Sequence, residues 1–578
     1  MAFEIKKQPK AYDVCIIGSG AGGGMAAKVL SEAGLKVALL EAGPKYDPAD
    51  PKQQTQLKWP YESPRRGAGT TRPFGDFDAA YGGWELNGEP YTKKNGTQFD
   101  WFRSRMVGGR TNHWGRISLR FGPNDFKHYS LDGHGDDWPI SYDDVKPYYD
   151  RVDKLIGVFG SKEGIYNEPD GLFLPPPKPR LHELLIRQAG AKMGLPVIAS
   201  RLSILTRPVN KDRGACFFCS QCNRGCTVYG DFSSSTCLVK PAMKNGNVDL
   251  YTDAMAREVL TDSTGKATGV SYVDRNDLQE YQVNARVIVL AASACESARL
   301  LLNSKSSVHK NGLANSSGVV GKYLHDSTGA SRSAFIPRLM DRKRYNEDGV
   351  GGMHVYVPWW LDNKKLDFAR GYHIEMGGGL SMPMYGFGFG IERLQRNDPK
   401  RAASQMPGGY GASLKDDYRR FWGSTVGFAG RGEAIARADN YCEIDPNVVD
   451  KFGIPVLRFH YTWSEHEIKQ AKHMQDTFEK LIHEMGGVPL GEKPGADTMY
   501  GLENPGRIIH EVGTTRMGDD PSRSVLNKYN QAHDVKNVFV VDGGAFVSQA
   551  DKNPTWTILA LSMRASEYIV SELKKQNL

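Results

Sequence analysis

Three short stretches of this chain carry residue types whose spacing suits chemistry. The first is Gly18-Ser19-Gly20-Ala21-Gly22-Gly23. Glycines at 18, 20 and 23 suit, in that order, a tight turn, a close backbone approach to a pyrophosphate, and close packing of a following helix on a strand. Glu41 follows Gly18 by 23 residues. There a carboxylate can accept hydrogen bonds from both hydroxyls of a ribose and would repel a 2′-phosphate. The second stretch holds Cys216, Cys219, Cys222 and Cys226, four of the eight cysteines, spaced C-x2-C-x2-C-x3-C. Thiols this close on a turn can converge on one iron–sulfur cluster or a zinc ion, or stay free or pair as disulfides. Thr227 follows the last cysteine, where the bacterial ferredoxin run has proline. The third stretch is Arg103 to Gly115, in which Gly108 and Gly109 are followed by Arg110, Thr111, Asn112, His113 and Trp114. Taken alone, that pair of glycines is also compatible with a plain hairpin.

These residues need elements to hold them. Residues 12–17, YDVCII, form a β-branched apolar run that predicts a strand. Residues 25–34 place Ala26, Val29 and Leu30 on one helical face, and a second apolar run over 36–40 ends in Glu41. Strand, glycine turn, helix and strand within about 30 residues make a dinucleotide site. The motif alone does not separate NAD from FAD. Residues 287–303 read as a strand, a run of small residues and a helix, and 255–274 as two strands about a Ser-Thr-Gly turn. Ser464 to Met485 carries Ile468, Ala471, Met474, Phe478 and Ile482 at helical spacing, which predicts a core-packed helix. Stretches 42–100 and 160–182 are rich in Pro, Gly, Lys and Asp and are expected as long loops. The aromatic and glycine-rich run 382–391 suits either a substrate entrance or ordinary packing.

Composition narrows the classes. With 578 residues, two or more structural units are expected. Lysine and arginine total 74 against 66 acidic residues, a net +8 too diffuse for a nucleic-acid footprint. Hydrophobic residues at 40% and charged residues at 24% exclude a disordered or fibrous chain. No apolar run approaches the ~20 residues that span a bilayer, so no transmembrane segment is expected. Residues 1–18 show neither a long apolar core with a small-residue cleavage site nor a twin arginine, so no export signal is expected. Cys15 and Cys295 read as buried small hydrophobes.

In order along the chain, these motifs resemble those of the glucose-methanol-choline (GMC) oxidoreductases. The residues that carry the resemblance are the turn at 18–23, Gly108-Gly109-Arg110-Thr111-Asn112-His113-Trp114, the segment 287–303, Val320 to Asp326 and Asn440 to Pro455. They continue through His510 to Gly518, Val541-Asp542-Gly543 and Asn553-Pro554-Thr555. Within that family the chain is similar to catalytic subunits of bacterial FAD-dependent sugar dehydrogenases, which oxidise glucose, gluconate, fructose or position 3 of glucosides. Residues 123–126, PNDF, and 138–142, WPISY, support this, as do Tyr148 and Tyr149 in the helix expected after them.

The resemblance implies an α/β fold, with a GMC-type, FAD-binding, Rossmann-like domain interleaved with an α+β substrate domain built on an antiparallel sheet. Residues 1–330 are expected mainly in the FAD domain, 331–505 mainly in the substrate domain, and 506–578 back in the FAD domain. FAD would lie along Gly18, Gly20, Gly23, Glu41, Gly108, Gly109, Asn112, His113, Asp542 and Gly543. A lone histidine is more often structural than catalytic. His510 and Asn553, in the family's order, match its catalytic pair, with His510 the base and Asn553 holding the substrate oxygen. His325 is expected to be structural.

For the cysteines, the resemblance implies an iron–sulfur cluster. Cys216, Cys222 and Cys226 align with ligands of a three-iron cluster. The family's additional cysteine follows the first directly, whereas this chain has Cys219, so a three-iron and a four-iron cluster both stay open. The implied function is oxidation of a sugar or glycoside hydroxyl, with the hydride going to flavin N5 and electrons leaving through the cluster. The implied partners are a small chaperone-like subunit and a cytochrome. Co-export with the small subunit would place the chain in the periplasm, and a cytoplasmic chain is the alternative. An oxygen-using alcohol oxidase of the same family, without a functional cluster, is the alternative function.

Overall fold

The structure, a computed structural model, describes residues 10–54, 56, 81–343, 349–358, 365–380, 391–401 and 407–578. The run 382–390 and most of 55–80 lie outside the described residues.

The N-terminal unit forms as its pattern requires. Strand β1 (Ala11–Ile17), helix α1 (Ala21–Glu32) and strand β2 (Val37–Leu40) follow one another around the glycine turn. Helix α2 (Tyr142–Ile156) is started by Ser141, whose hydroxyl caps Asp144 N–H while the Asp144 carboxylate returns to the Ser141 N–H at 2.8 Å. Strands β3 (Val248–Tyr251), β4 (Ala254–Thr261), β5 (Ala267–Asp274) and β6 (Glu280–Leu290) complete most of the main sheet, and α3 (Ala294–Asn303) follows β6. Their order is β3-β2-β1-β6-β5-β4. The pairs β3/β2, β2/β1 and β1/β6 are parallel, while β6/β5 and β5/β4 are antiparallel.

Alternation along β1 sends its side chains to two cores. Val14 and Ile16 pack with Ala26, Leu30 and Val289 on the α1 face. Cys15 and Ile17 pack with Leu40, Ile288 and Leu290 on the other. A sheet covered on both faces reads as a continuous apolar run, which is what the sequence of β1 shows.

A second sheet carries strand β7 (Thr328–Phe335), strand β8 (Tyr372–Gly378) and strand β9 (Thr425–Gly432). Their order is β8-β9-β7, all antiparallel, with Val488–Pro489 beyond β7. Strands β10 (Tyr441–Val449) and β11 (Pro455–His460) pair separately, and the short strand Thr92–Lys93 joins β11 in parallel. Helix α4 (Glu465–Glu484) starts at a Ser464/Glu467 capping box and buries Ala471, Met474, Phe478 and Ile482 against Ala330, Val426 and Phe428. The expected helical stripe is therefore a core stripe. Tyr372, Ile374 and Met376 share the α4 face. Period two then turns His373, Glu375 and Arg431 to the opposite face, with His373 directly across from Arg431.

The chain finally returns to the first sheet. Strand β12 (Val538–Val540) pairs in parallel with Ile288–Leu290 of β6. Helix α5 (Thr555–Lys574) lies on α1, with Ala565, Ile569 and Leu573 in the core shared with Ala26 and Leu30. Ser562 Oγ donates to the Gly22 carbonyl at 2.7 Å. No helix among the described residues is long and apolar enough to cross a membrane.

Phe459 joins the 89–105 segment to β11. Its ring stacks on Phe99 at 4.3 Å and meets Tyr91 and Trp101 edge-on. Phe459→Ala is expected to cost about 3–5 kcal/mol and to lower the melting temperature by several degrees, measured by thermal unfolding of the flavin-loaded protein.

Candidate functional site

One cavity of about 460 Å³ runs from the glycine turn to the second sheet. Its wall includes Gly18, Gly20, Glu41, Gly109, His113, Asp542, Gly543, His510 and Asn553. Residues far apart in sequence thus meet at one surface.

The glycine turn has the shape a dinucleotide needs. Gly18 has φ +95°, and a Cβ there would lie 2.4 Å from the Ala291 carbonyl oxygen at the end of β6. Only glycine fits that conformation and that approach. A Cβ on Gly23 would lie 1.8 Å from the Gly18 oxygen, so α1 sits directly on the turn. Gly20 is the reverse case, because a Cβ there would meet nothing within 4 Å. Its open side belongs to the cavity, at the N-terminus of α1, where unpaired N–H groups and the helix dipole favour phosphate.

Glu41 is buried, and burial pushes its carboxyl pKa up. It accepts from Ser19 Oγ at 2.6 Å, Ser19 N–H at 3.2 Å and Gly43 N–H at 3.0 Å. A carboxylate has about four acceptor positions, so capacity remains for a ribose hydroxyl. Asp542 accepts from Ser297 Oγ at 2.5 Å and from the N–H of Ser293 and Gly544, and burial pushes its pKa up to about 6. These features fit FAD.

The Gly108–Trp114 loop divides by role. Gly109 and His113 line the cavity, and burial pushes the His113 pKa down to about 3. Gly108 and Asn112 do not line it. Asn112 clamps the loop, donating to Val107 O at 2.8 Å and Gly109 O at 3.1 Å and accepting from Ser235 Oγ at 2.7 Å. Gly108 donates to Ser19 Oγ at 2.9 Å. Both brace the loop from behind the cavity wall. Sequence spacing does not tell which side of a loop faces a ligand.

His510 and Asn553 converge, with Asn553 Nδ2 3.3 Å from His510 Nε2. His510 Nδ1 is 3.0 Å from Ser327 Oγ, which in turn accepts from Gln549 Nε2 at 3.3 Å. The His510 N–H donates to Asp326 Oδ1 at 2.8 Å, and Asp326 Oδ2 accepts from Gly506 N–H at 2.8 Å. Burial, with Glu511 nearby, pushes Asp326 up to about 7. Ile509 has φ +65°, a conformation that is rare and strained for a β-branched residue. The Asp326 and Gly506 contacts hold that strain directly beside His510. Burial pushes the His510 pKa down to about 3; Glu375 opposes this, while Arg431 and His373 add to it. The imidazole is therefore neutral at ordinary pH.

Asn553 Oδ1 is buried with no hydrogen-bond partner, as expected of a group that awaits a ligand. Its loop is held by buried Lys552, whose Nζ lies 2.6 Å from Asp551 and 3.0 Å from Asp125. Pro554 then opens α5. Arg110 pairs with Glu511 at 2.6 Å and ties the 103–115 loop to the His510 turn.

Sequence reasoning did not single out Ser327, which meets the His510 ring, or the wall residues Glu375 and Arg431. Ser327 directly follows the run Val320 to Asp326, so adjacency was a usable signal. Glu375 and Arg431 had none, because strand pairing alone brings them together. His325 is structural, with Nδ1 on the Tyr323 carbonyl at 2.7 Å.

The cysteine run departs from expectation. Among the described residues, no three His, Cys, Asp or Glu side chains stand together as metal ligands. Phe218 and Ser220 take left-handed backbone conformations, φ 59° and 58°, which turn the chain between the thiols. Cys216 Sγ accepts from Phe218 N–H, Cys219 Sγ from Gln56 Nε2, and Cys226 Sγ from Gly230 N–H, while Cys222 is buried against Gly351. All four are free thiols. The arrangement does not fit a cluster ligated by Cys216, Cys219, Cys222 and Cys226. Cys15 and Cys295 are buried, as expected.

A glycine-turn dinucleotide domain with a histidine–asparagine pair at the far end of its cavity defines a class of nucleotide-dependent oxidoreductase. Residues 20–328 and 436–562 match the N-terminal and C-terminal models of the GMC oxidoreductases, and the chain belongs to that family. Membership implies FAD and an oxidoreductase acting on CH–OH groups. It is 31% identical over 573 residues to 2-methyl-1,2-propanediol dehydrogenase of Mycolicibacterium austroafricanum, covering 96% of this chain and 95% of that protein. It is 28% identical over 586 residues to the fructose dehydrogenase large subunit of Gluconobacter japonicus, covering 97% and 98%. Pyridoxine 4-oxidase from Mesorbium loti shares the fold, with TM-score 0.63 and 17% identity over 96% of this chain and 98% of that one.

Gly23→Ala is expected to cut flavin content at least tenfold, read as visible absorbance per polypeptide, because the added methyl meets the Gly18 carbonyl. Iron and acid-labile sulfide analysis with EPR checks the cysteine run; the expected outcome is no cluster.

Proposed function

We propose that this protein is an FAD-dependent dehydrogenase that oxidises a hydroxyl of a sugar or glycoside to a carbonyl. The observation that carries the reading is the 3.3 Å approach of Asn553 to His510 within the cavity that begins at the glycine turn. The names of two relatives, which specify a propanediol and fructose, support a polyhydroxylated substrate.

When bound, the flavin supplies the hydride acceptor at its N5 atom. The rest falls to this chain. Asn553 donates towards His510 Nε2, so the network assigns the imidazole proton to Nδ1, which donates to Ser327 Oγ. Once the Asn553 amide turns away, the Nε2 lone pair is released to take the substrate hydroxyl proton. The Asn553 amide turns to the same oxygen and stabilises charge as it develops there. Asp326 fixes the turn that aims the ring.

We assign the chain as a catalytic subunit working with a small chaperone-like subunit and a cytochrome, in the periplasm through co-export. The support is the relative named as a large subunit. No step is routed through an iron–sulfur cluster. A second reading has oxygen accept the electrons directly; peroxide formed in proportion to product would select it.

Anaerobic mixing with a panel of sugars, glycosides and polyols tests the reading by bleaching of the flavin. His510→Ala is expected to retain flavin yet slow its reduction by about 100-fold to 10,000-fold. Asn553→Ala should slow it by roughly 100-fold. Rapid bleaching in the His510 variant would refute the assignment. The neutral imidazole is the active form, so a pKa lowered to about 3 moves the acid limb of the rate profile well below pH 6. Wild-type reduction rates at pH 7.5 and pH 5 should agree within about twofold, whereas a base at the ordinary value of about 6.5 would lose most of its activity by pH 5.

A further inference from the structure

The cavity has a charged wall that proton abstraction does not use. Glu375 and Arg431 project from β8 and β9 into the space that His510 and Asn553 face. Arg431 Nε lies 3.5 Å from Glu375 Oε2, and His373 Nε2 lies 3.2 Å from Glu375 Oε1. The side chains of Arg431 and Glu375 remain 24% and 17% exposed, enough to present polar atoms to a ligand. His373 also contacts the Asp551 carbonyl, two residues before Asn553, so this wall and the catalytic loop are held in one frame.

Burial alone would push the Glu375 carboxyl up, but Arg431 and His373 more than offset this and hold it at about 2. The group is thus a carboxylate, with acceptor positions left over, beside a guanidinium with donors left over. A substrate that fills this end of the cavity must either satisfy those positions or leave them dry and unpaired, which is costly. An acid attracted by Arg431 is repelled by Glu375, and an amine attracted by Glu375 is repelled by Arg431, so neither gains a net charge partner from the pair. A neutral hydroxyl suits both, since it donates to the carboxylate and accepts from the guanidinium.

We propose that Glu375 and Arg431 bind a second hydroxyl of the substrate, on the carbon next to the one oxidised, so that the enzyme selects neutral vicinal diols and polyols over monohydric alcohols, sugar acids and amino sugars. This rests on the alcohol-oxidising reading above and names the substrate feature which that site recognises. Glu375 and Arg431 are specificity residues, and the hydride and proton transfers are unchanged.

The experiment uses the flavin-loaded full chain, mixed anaerobically with glucose, methyl glucoside, fructose and 1,2-propanediol. The best reductant is then compared with its analogues lacking a hydroxyl next to the oxidised carbon. The wild-type enzyme should favour the parent over the analogue by about 100-fold or more in kcat/KM, as expected where polar groups are left unpaired. In Glu375→Gln and in Arg431→Met this ratio should fall to below about tenfold, the parent losing more than the analogue. A wild-type ratio under about threefold would overturn the inference and leave the alcohol oxidation standing. So would variants that slow both substrates equally, because that is the signature of an effect relayed through His510. If none of the four compounds bleaches the flavin, the proposed function fails and this inference fails with it. Should both variants lose flavin, the wild-type ratio decides alone.

Discussion

The parallel pairing of Val538–Val540 with Ile288–Leu290 is the constraint on which the site depends. It inserts the end of the chain beside the strand whose own tip closes over Gly18. Asp542 lies two residues past Val540 and takes the N–H of Ser293, whose φ of +92° is itself strained. Helix α5 then packs on α1, so Asn553 and His510 are anchored to the same core as the nucleotide turn. A chain that contributed only its first 330 residues would have a cradle and no base.

Charge is managed differently at the two ends of the cavity. At the nucleotide end, backbone N–H groups, a helix dipole and two buried carboxylates provide orientation with few mobile charges. At the reacting end, a neutral imidazole sits among Glu375, Arg431, His373 and Arg110. Burial is the largest influence on the protonation of His510; Glu375 opposes it, and Arg431, His373 and Arg110 add to it. A base kept neutral in this way needs no activation before substrate arrives. The cost is local strain at Ile509, held by Asp326 and Gly506.

In the cysteine run, spacing and convergence are separate questions. Four thiols in eleven residues are compatible with one shared ion only if the intervening backbone curls around a common point. Here Phe218 and Ser220 take left-handed conformations between the thiols, and the sulfurs of Cys216, Cys219 and Cys226 accept from Phe218 N–H, Gln56 Nε2 and Gly230 N–H. Sequence reports how far apart ligands lie along the chain, while convergence in space is a property of dihedral angles and of what packs behind the loop.

Much of this protein was settled by sequence alone. Local periodicity determined β1, α1, β2 and α4, because each needs only its own residues and a partner face. The order of short motifs pointed to His510, Asn553 and the flavin cradle, since backbone conformations such as that of Gly18 admit very few residue types. Tertiary structure decided what depends on two distant segments meeting. It put Asn112 behind its loop, set Ser327 against the imidazole, and brought Glu375 and Arg431 to one wall through the register of β8 with β9. Side-chain direction on paired strands follows from alignment with a neighbour, and that neighbour lies about fifty residues away with no local trace in either segment.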